Sequence, residues 1–365
     1  MKKVKTAILV DALVNKGGFE RIVLLQAISL NADIYVGRYN PKTTFEEFKK
    51  TKIIKITEYS NIGYTELFGR IFTLYLWFLF SRLNLNKKYD VYLIHGSGAL
   101  NAARRHHPNI WYCHAPSRYL YDLYVEEFHR HTRLFKLLFP IITSFQRKID
   151  QNNVKYINKI LVNSNNVKKR VKKFYNRDST IVYPFVDTTK FKWISQEDFY
   201  FSPGRLDRIK RTDLIIKAFL KMPNKKLIVA SSGPDEKRFR EMARNAKNIV
   251  FLGWISDKKM GELYGKCIAT LYLSYKEDFG MVPLESMSAG KPCIATKEGG
   301  HKETIINKKT GLLITPKNIQ EIIKAVNWVT PERAKQMRKE CEKRARRYSL
   351  KEHMKRLRKL MDEAR

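Results

Sequence analysis

The chain has 365 residues and sets 71 Lys+Arg against 35 Asp+Glu, a formal net charge of +36. With 44% hydrophobic and 12% aromatic residues it can build sizeable cores, which excludes a disordered polyelectrolyte. Its four dispersed cysteines (Cys113, Cys267, Cys293, Cys341) form no CxxC pair and no zinc-spaced cluster, which excludes a disulfide scaffold and makes a reducing compartment the default.

At roughly 150 residues per domain, the length suggests two domains. The basic start, Met1 to Thr6, leads into Ala7 to Val10, an apolar run too short for a signal peptide. Val4 to Val10 reads as a first strand, followed by a Gly17-Gly18 loop and a helix from about Glu20. The run Ile71 to Phe80, between Arg70 and Arg82, falls short of the about twenty residues that a span requires. It reads first as a buried helix of an α/β layer, and second as an aromatic, cation-flanked helix lying on a bilayer surface. Leu134 to Phe145 has the same character.

Tyr89 to His95, Asn109 to His114 and Lys159 to Asn163 read as further strands of the first sheet. Tyr183-Pro184 breaks the pattern, and the polar stretch Asp187 to Asp198 reads as a linker. A second series of strands follows at Phe199 to Ser202, Lys225 to Ser231, Asn248 to Leu252, Ile268 to Leu273 and Pro292 to Thr296. Short β-branched runs alternating with helical patterns are the mark of βαβ units and parallel sheets. From about Pro331 the chain is helical and strongly basic. A solvated helix pair is the simplest explanation, and a surface for anionic lipid or nucleic acid the sharper one.

The segment Glu277 to Thr296, EDFGMVPLESMSAGKPCIAT, follows a strand. Pro283 suits the first turn of a helix and Gly290 its end. The N–H groups near Gly280, Met281 and Val282 are then free to bind an anion such as phosphate. Glu277 precedes the helix, Glu285 is expected in its first turn, and both carboxylates would border one pocket as acceptors for hydroxyl groups. A second anion site is expected in Ser202 to Arg211, where Arg205, Arg208, Lys210 and Arg211 precede a helix capped by Thr212 or Asp213.

GRLDRIKRTDLIIKAF from Gly204, GPD from Gly233, FLGWIS from Phe251, the Glu277 to Thr296 block and GGHKETI from Gly299 resemble, in order and spacing, the C-terminal domain of a group-1 (family 4) glycosyltransferase. Its E-x7-E pair would be Glu277 and Glu285. LVNSNNVKKRVKKFY from Leu161 and NKGGFERIV from Asn15 extend the resemblance over nearly the whole chain. It implies an α/β GT-B fold: two facing Rossmann-like domains with parallel sheets and a cleft between them. Residues 1–186 would be the acceptor-side domain, 187–345 the nucleotide-sugar domain, and 346–365 a helix packing back on the first. Retention of anomeric configuration is implied, with no cofactor and no obligatory metal.

Arg205 and Lys210 would neutralise the departing diphosphate, and Glu285 would hold the ribose. Glu277 would contact the transferred sugar. Gly204, Gly233 and the backbone of Phe279, Gly280, Met281 and Val282 would line the donor site, with Trp254 and Ile255 at the base. Gly17 and Gly18 would approach the diphosphate from the first domain. YCHAPSRYLYDLY from Tyr112 is similar to the H-T-P-M-R-Y-x-W-D block of mannosyltransferases that build lipid-linked polysaccharides, departing from it at Ala115, Ser117 and Tyr121. His114 would then contact the donor sugar, and Arg118 the sugar or acceptor.

A retaining hexosyltransferase is therefore expected, moving mannose from GDP-mannose, or a hexose from a UDP-hexose, to a lipid-linked or polysaccharide acceptor. A glycosidase would instead need two carboxylates on opposite sides of the bond. The cations beyond the diphosphate site point to an anionic membrane partner, with the protein peripheral on the cytoplasmic face. A soluble enzyme acting on a storage glycan or free sugar is the alternative. A specific nucleic-acid partner is not expected, because no helix-turn-helix, zinc finger or ribonucleoprotein aromatic motif is present.

Overall fold

The computed structural model describes residues 4–58, 66–85, 88–316 and 318–365, with side chains from Phe72 onwards in the second stretch. The basic start at Met1 to Lys3 therefore lies outside the described residues. The chain divides into two compact units: Met1–Tyr183 with Met354–Arg365, and Pro184–His353.

The first unit is built on seven strands: β1 (Thr6–Leu13), β2 (Asp33–Tyr39), β3 (Lys52–Lys55), β4 (Val91–His95), β5 (Asn109–Cys113), β6 (Lys159–Val162) and β7 (Thr180–Ile181). They pair in the order β3-β2-β1-β4-β5-β6-β7, all parallel. Such a sheet is covered on both faces, so its central strands read as continuous apolar runs. Ala7 to Val10 and Val91 to His95 are all buried accordingly. The strand order reverses between β1 and β4, with Val10 opposite His95. Helices α1 (Gly18–Leu30), α2 (Glu66–Arg82), α3 (Tyr124–Arg130), α4 (Arg133–Val154) and α5 (Asn165–Tyr175) complete the layers.

The apolar run ending at Phe80 is part of α2. Phe72, Leu76, Trp77 and Phe80 are buried on one face, at about 1.5–3 kcal/mol each, while Phe78 is half exposed. The buried-helix expectation describes it. Among the described residues no helix is long and apolar enough to cross a membrane.

The second unit carries β8 (Tyr200–Ser202), β9 (Leu227–Ala230), β10 (Ile249–Gly253), β11 (Thr270–Tyr272), β12 (Cys293–Thr296) and β13 (Gly311–Ile314). Their order is β10-β9-β8-β11-β12-β13, again parallel. Its helices are α6 (Thr212–Leu220), α7 (Glu236–Met242), α8 (Asp257–Lys266), α9 (Met281–Ser288), α10 (His301–Thr304), α11 (Ile319–Trp328) and α12 (Pro331–Arg346). The last helix, α13 (Leu350–Asp362), begins in this unit. From Met354 on it belongs to the first, where Arg356 Nε donates to the Ile181 carbonyl (2.8 Å) and Lys159 pairs with Glu363 (2.7 Å).

The stretch Asp187 to Asp198 is not a free linker. Phe191 is buried in the second unit's core, and Lys291 Nζ donates to the Ser195 carbonyl at 2.6 Å. Its polar composition belongs to turns that pack, such as the one in which Asp187 Oδ1 accepts from Thr189. Nor is α6 capped by Thr212 or Asp213. Arg211, in the left-handed region at φ 52°, occupies the cap position without a side-chain cap.

Candidate active site

In the second unit the strand order reverses between β8 and β11, so the loops leaving these neighbouring strands open side by side, where ligands of α/β sheets gather. The β8 loop ends in a 3-10 turn, Arg208–Lys210, whose cap Asp207 accepts from the Lys210 N–H. This turn presents Lys210 to the end of β11. Lys210 Nζ donates to Glu277 Oε2 (2.8 Å) and to Tyr272 OH (2.7 Å), with Ser274 Oγ at 3.4 Å. Tyr272 OH and Ser274 Oγ also donate to Glu277 Oε2, at 3.0 and 2.5 Å.

Burial alone would push the Glu277 carboxyl up. The charge of Lys210, the nearby His301 and the hydrogen bonds from Lys210 and Ser274 outweigh it and hold the group at about 2. Burial likewise opposes the Lys210 cation, but Tyr272 and Glu277 raise it above the ordinary lysine value. Both groups are therefore charged at neutral pH.

The backbone around this pair is shaped by two glycines. Gly280 caps α9 at φ +87°, and a Cβ there would lie 2.8 Å from His301 Cδ2 and 3.4 Å from Glu277 Cγ. Gly299, at φ +61°, lies so close beneath Glu277 that a Cβ would meet its carbonyl oxygen at 2.1 Å. The next N–H, of Gly300, donates to that oxygen at 3.0 Å. His301 is fully buried, with Nδ1 near the Thr296 carbonyl (3.2 Å) and Oγ1 (3.1 Å). Because the Thr296 hydroxyl donates to the Ser274 carbonyl, the imidazole proton belongs on Nδ1. Burial holds this histidine below its ordinary value, and its Nε2 finds no hydrogen-bond partner among the described residues.

Glu285 lies in the second turn of α9, not the first, because the helix begins at Met281. Its Oε2 accepts from Tyr264 OH on α8 at 2.6 Å. The two carboxylates of the E-x7-E pair are thus held by different hydroxyls. Phe279 is buried beside Tyr348, whereas Met281 and Val282 are half-buried. Trp254 is 63% exposed and Ile255 is partly buried. Gly204 packs against the Tyr272 ring, and a Cβ at Gly233 would meet the Leu206 carbonyl oxygen at 2.2 Å. Arg205 stays outside the cluster, 67% exposed and 3.2 Å from Asp207. Arg211 turns to Glu298 at 3.4 Å.

In the first unit His114 follows β5. Its Nε2 is 3.0 Å from His95 Nδ1, and Phe19 packs edge-on against its ring at 4.7 Å. One histidine donates and the other accepts in this contact, so each fixes the other's ring orientation. Gly17 caps α1, with Gly18 as its first residue. The Glu20 carboxylate folds back onto the N–H groups of Glu20, Asn15 and Gly17, so the chain's own anion already answers that helix end. Arg118 is bound to Asp122 (3.0 Å), which Arg170 also approaches (3.4 Å).

Two family models match successive stretches of the chain: Glycosyltransferase Family 4 over residues 17–190 and Glycosyl transferases group 1 over residues 185–348. The chain is a group 1 glycosyltransferase. It is 24% identical over 377 residues to the Alpha-1,3/1,6-mannosyltransferase ALG2 of Dictyostelium discoideum, covering 85% of this chain and 86% of that one. A shorter match, 31% over 156 residues, is to the N-acetyl-alpha-D-glucosaminyl L-malate synthase of Bacillus anthracis, covering 38% and 40% of the two chains. In fold, the sucrose-phosphate synthase of Thermosynechococcus elongatus superposes with a TM-score of 0.79 over 98% of each chain at 16% identity. Two parallel-sheet, Rossmann-like units and these likenesses make this a GT-B glycosyltransferase.

The glycosyltransferase brings Lys210 and Glu277 together and leaves Arg205 and Trp254 at its surface. Tyr272, Ser274, Tyr264, His95 and His301 contact the candidate residues, and sequence reasoning missed them. Tyr272 and Ser274 carried a usable signal, since residues two apart on an extended segment point the same way. Tyr264, eight residues after Ser256 opens its helix, carried none.

Proposed function

We propose that this glycosyltransferase moves a mannosyl group from GDP-mannose to a lipid-linked glycan at the cytoplasmic face of a membrane, with retention and without a metal. The observation that carries the chemistry is the Lys210–Glu277 pair beside the N-terminus of α9. The choice of sugar rests on the likeness to a mannosyltransferase over 85% of the chain, and that of acceptor on the resemblance of the block from Tyr112 to mannosyltransferases that build lipid-linked polysaccharides.

In this reaction the bond from the anomeric carbon to the diphosphate oxygen breaks. The acceptor hydroxyl oxygen takes its place, and the hydroxyl proton leaves with the diphosphate. Negative charge grows on that diphosphate as the bond lengthens. Lys210, already fixed and cationic, and the Met281 and Val282 N–H groups at the helix end stabilise that charge without reorganising. Arg205, solvent-exposed and paired with Asp207, adds a second cation. Glu277, ionised at neutral pH, accepts from hydroxyls of the transferred sugar, and Glu285 from the ribose. Trp254 and Ile255 meet the base, and Gly204 and Gly233 line the donor. His114 contacts the sugar and Arg118 the sugar or acceptor.

Transfer from GDP-mannose to a lipid-linked oligosaccharide, lost in Lys210→Ala, tests this assignment. No transfer from GDP-mannose by the wild type would reject the donor. A second reading, a soluble enzyme using a UDP-hexose, draws on the partial likeness to the glucosaminyl malate synthase. A thermal-shift panel separates the two, because a ligand at 100 times its Kd stabilises by about 2.7 kcal/mol.

A further inference from the structure

Helix α4 is apolar on two sides. Phe135, Phe139, Thr143, Gln146, Asp150 and Val154 face the interior of the first unit. A second row points outward: Leu134 (76% exposed), Leu137 (72%), Leu138 (44%), Ile141 (68%) and Phe145 (57%). Their spacing places all five on one stripe of the helix. Single exposed leucines are ordinary on a protein surface, but a continuous stripe of large apolar side chains marks an interaction site.

The charges around the stripe identify its partner. Between residues 133 and 149 the ionisable side chains are Arg133, Lys136, Arg147 and Lys148, with no acidic residue. Arg133 and Lys148 are exposed, and Asp150 is buried on the opposite face. Of the two glutamates on neighbouring α3, Glu127 is paired with Arg130 at 2.8 Å. A second copy of the chain would bring cation against cation, in a molecule already carrying +36. An anionic bilayer instead offers hydrocarbon for the stripe and phosphate for its flanks.

We propose that the outward face of α4 is a monotopic membrane anchor: Leu134, Leu137, Leu138, Ile141 and Phe145 enter the interface of an anionic bilayer while Arg133 and Lys148 meet lipid phosphates. This deepens the membrane-face reading above by naming the surface that makes the attachment. Neither residue set belongs to the donor site, so attachment and chemistry can be measured separately.

The test is sedimentation of the full chain with phosphatidylcholine vesicles, with and without phosphatidylglycerol, at physiological salt. The wild type is expected to bind the anionic vesicles. The double variant Leu137→Ser/Ile141→Ser, at unchanged Tm, is expected to lose at least tenfold in partitioning. Ile194→Ser, an exposed apolar residue of the second unit, is expected to change nothing. Failure of the wild type to bind, or equal binding by the double variant, overturns the proposal. So does a wild-type dimer that the double variant turns into monomer, since a second copy would then cover the stripe. Transfer to a short soluble acceptor, assayed in parallel, should survive in the double variant. Its absence from the wild type would count against the transferase reading and not against the anchor.

Discussion

Lys210 and Glu277 form an ion pair at 2.8 Å, with only 21% and 17% of their side chains exposed, and Tyr272 and Ser274 donate to the same carboxylate oxygen. Removing one partner from such a pair leaves the other buried and uncompensated. Lys210→Ala and Glu277→Gln should therefore cost stability as well as activity, up to about 3–5 kcal/mol for the lysine variant. The double variant Lys210→Met/Glu277→Leu should regain most of that stability and none of the activity. Denaturant unfolding with a transfer assay reads both, and full activity in the double variant would remove the pair from the chemistry.

The same pair gives stability a pH dependence of known sign. The Glu277 carboxyl is held at about 2 against an ordinary value near 4.5, so its contribution is complete above that ordinary value and is lost as pH falls towards 2. The stability advantage of the wild type over Glu277→Gln should be flat from pH 7 to about 5 and shrink below it. An advantage that grew on acidification would contradict the assigned ionisation.

Gly280 holds φ +87° with the His301 ring against the position a Cβ would take. Gly280→Ala should lower transfer at least tenfold, about 1.4 kcal/mol in transition-state stabilisation. His301→Ala in that background removes the clash but not the backbone strain, so it should restore only part of the loss. Wild-type rates in Gly280→Ala would show that the α9 N-terminus need not keep this shape.

Tyr264→Phe removes the hydroxyl that holds Glu285 at 2.6 Å. Its effect should fall on the nucleotide, raising KM for the donor several-fold with a smaller change in kcat. A kcat effect alone would place Glu285 elsewhere in the reaction.

His95 and His114 share a hydrogen bond of 3.0 Å, so His95 positions the residue expected to touch the sugar. His95→Phe should keep the fold and lower kcat, because His114 loses the side chain that orients its ring. A normal kcat would leave His95 a packing residue.

Much of the architecture is legible in the sequence because buried parallel strands are apolar throughout. β4, β5, β6, β8, β9, β11 and β12 lie within the expected runs, while β1 continues past its run to Leu13 and β10 to Gly253. β3, β7 and β13 escaped because they are edge strands with partly exposed residues and so lack a continuous apolar run, and β2 because Gly37 and Arg38 interrupt its apolar pattern. The Glu277 block was legible because a strand end, a glycine and a helix-opening proline occur together. The turn that Glu285 occupies was not, since it depends on α9 starting at Met281 rather than a few residues later. The partnership of Lys210 with Tyr272 and Ser274 joins residues 62 and 64 positions apart, and only sheet order brings them together.

The most direct measurement is product analysis after incubating the wild type and Lys210→Ala with GDP-mannose and a lipid-linked oligosaccharide. The expected result is an α-mannosyl product from the wild type, unaffected by chelator, with at least a tenfold loss in Lys210→Ala. Equal rates in both proteins would contradict catalysis by a fixed cation at the departing diphosphate, a β-linked product would contradict retention, and a chelator-sensitive reaction would contradict metal independence.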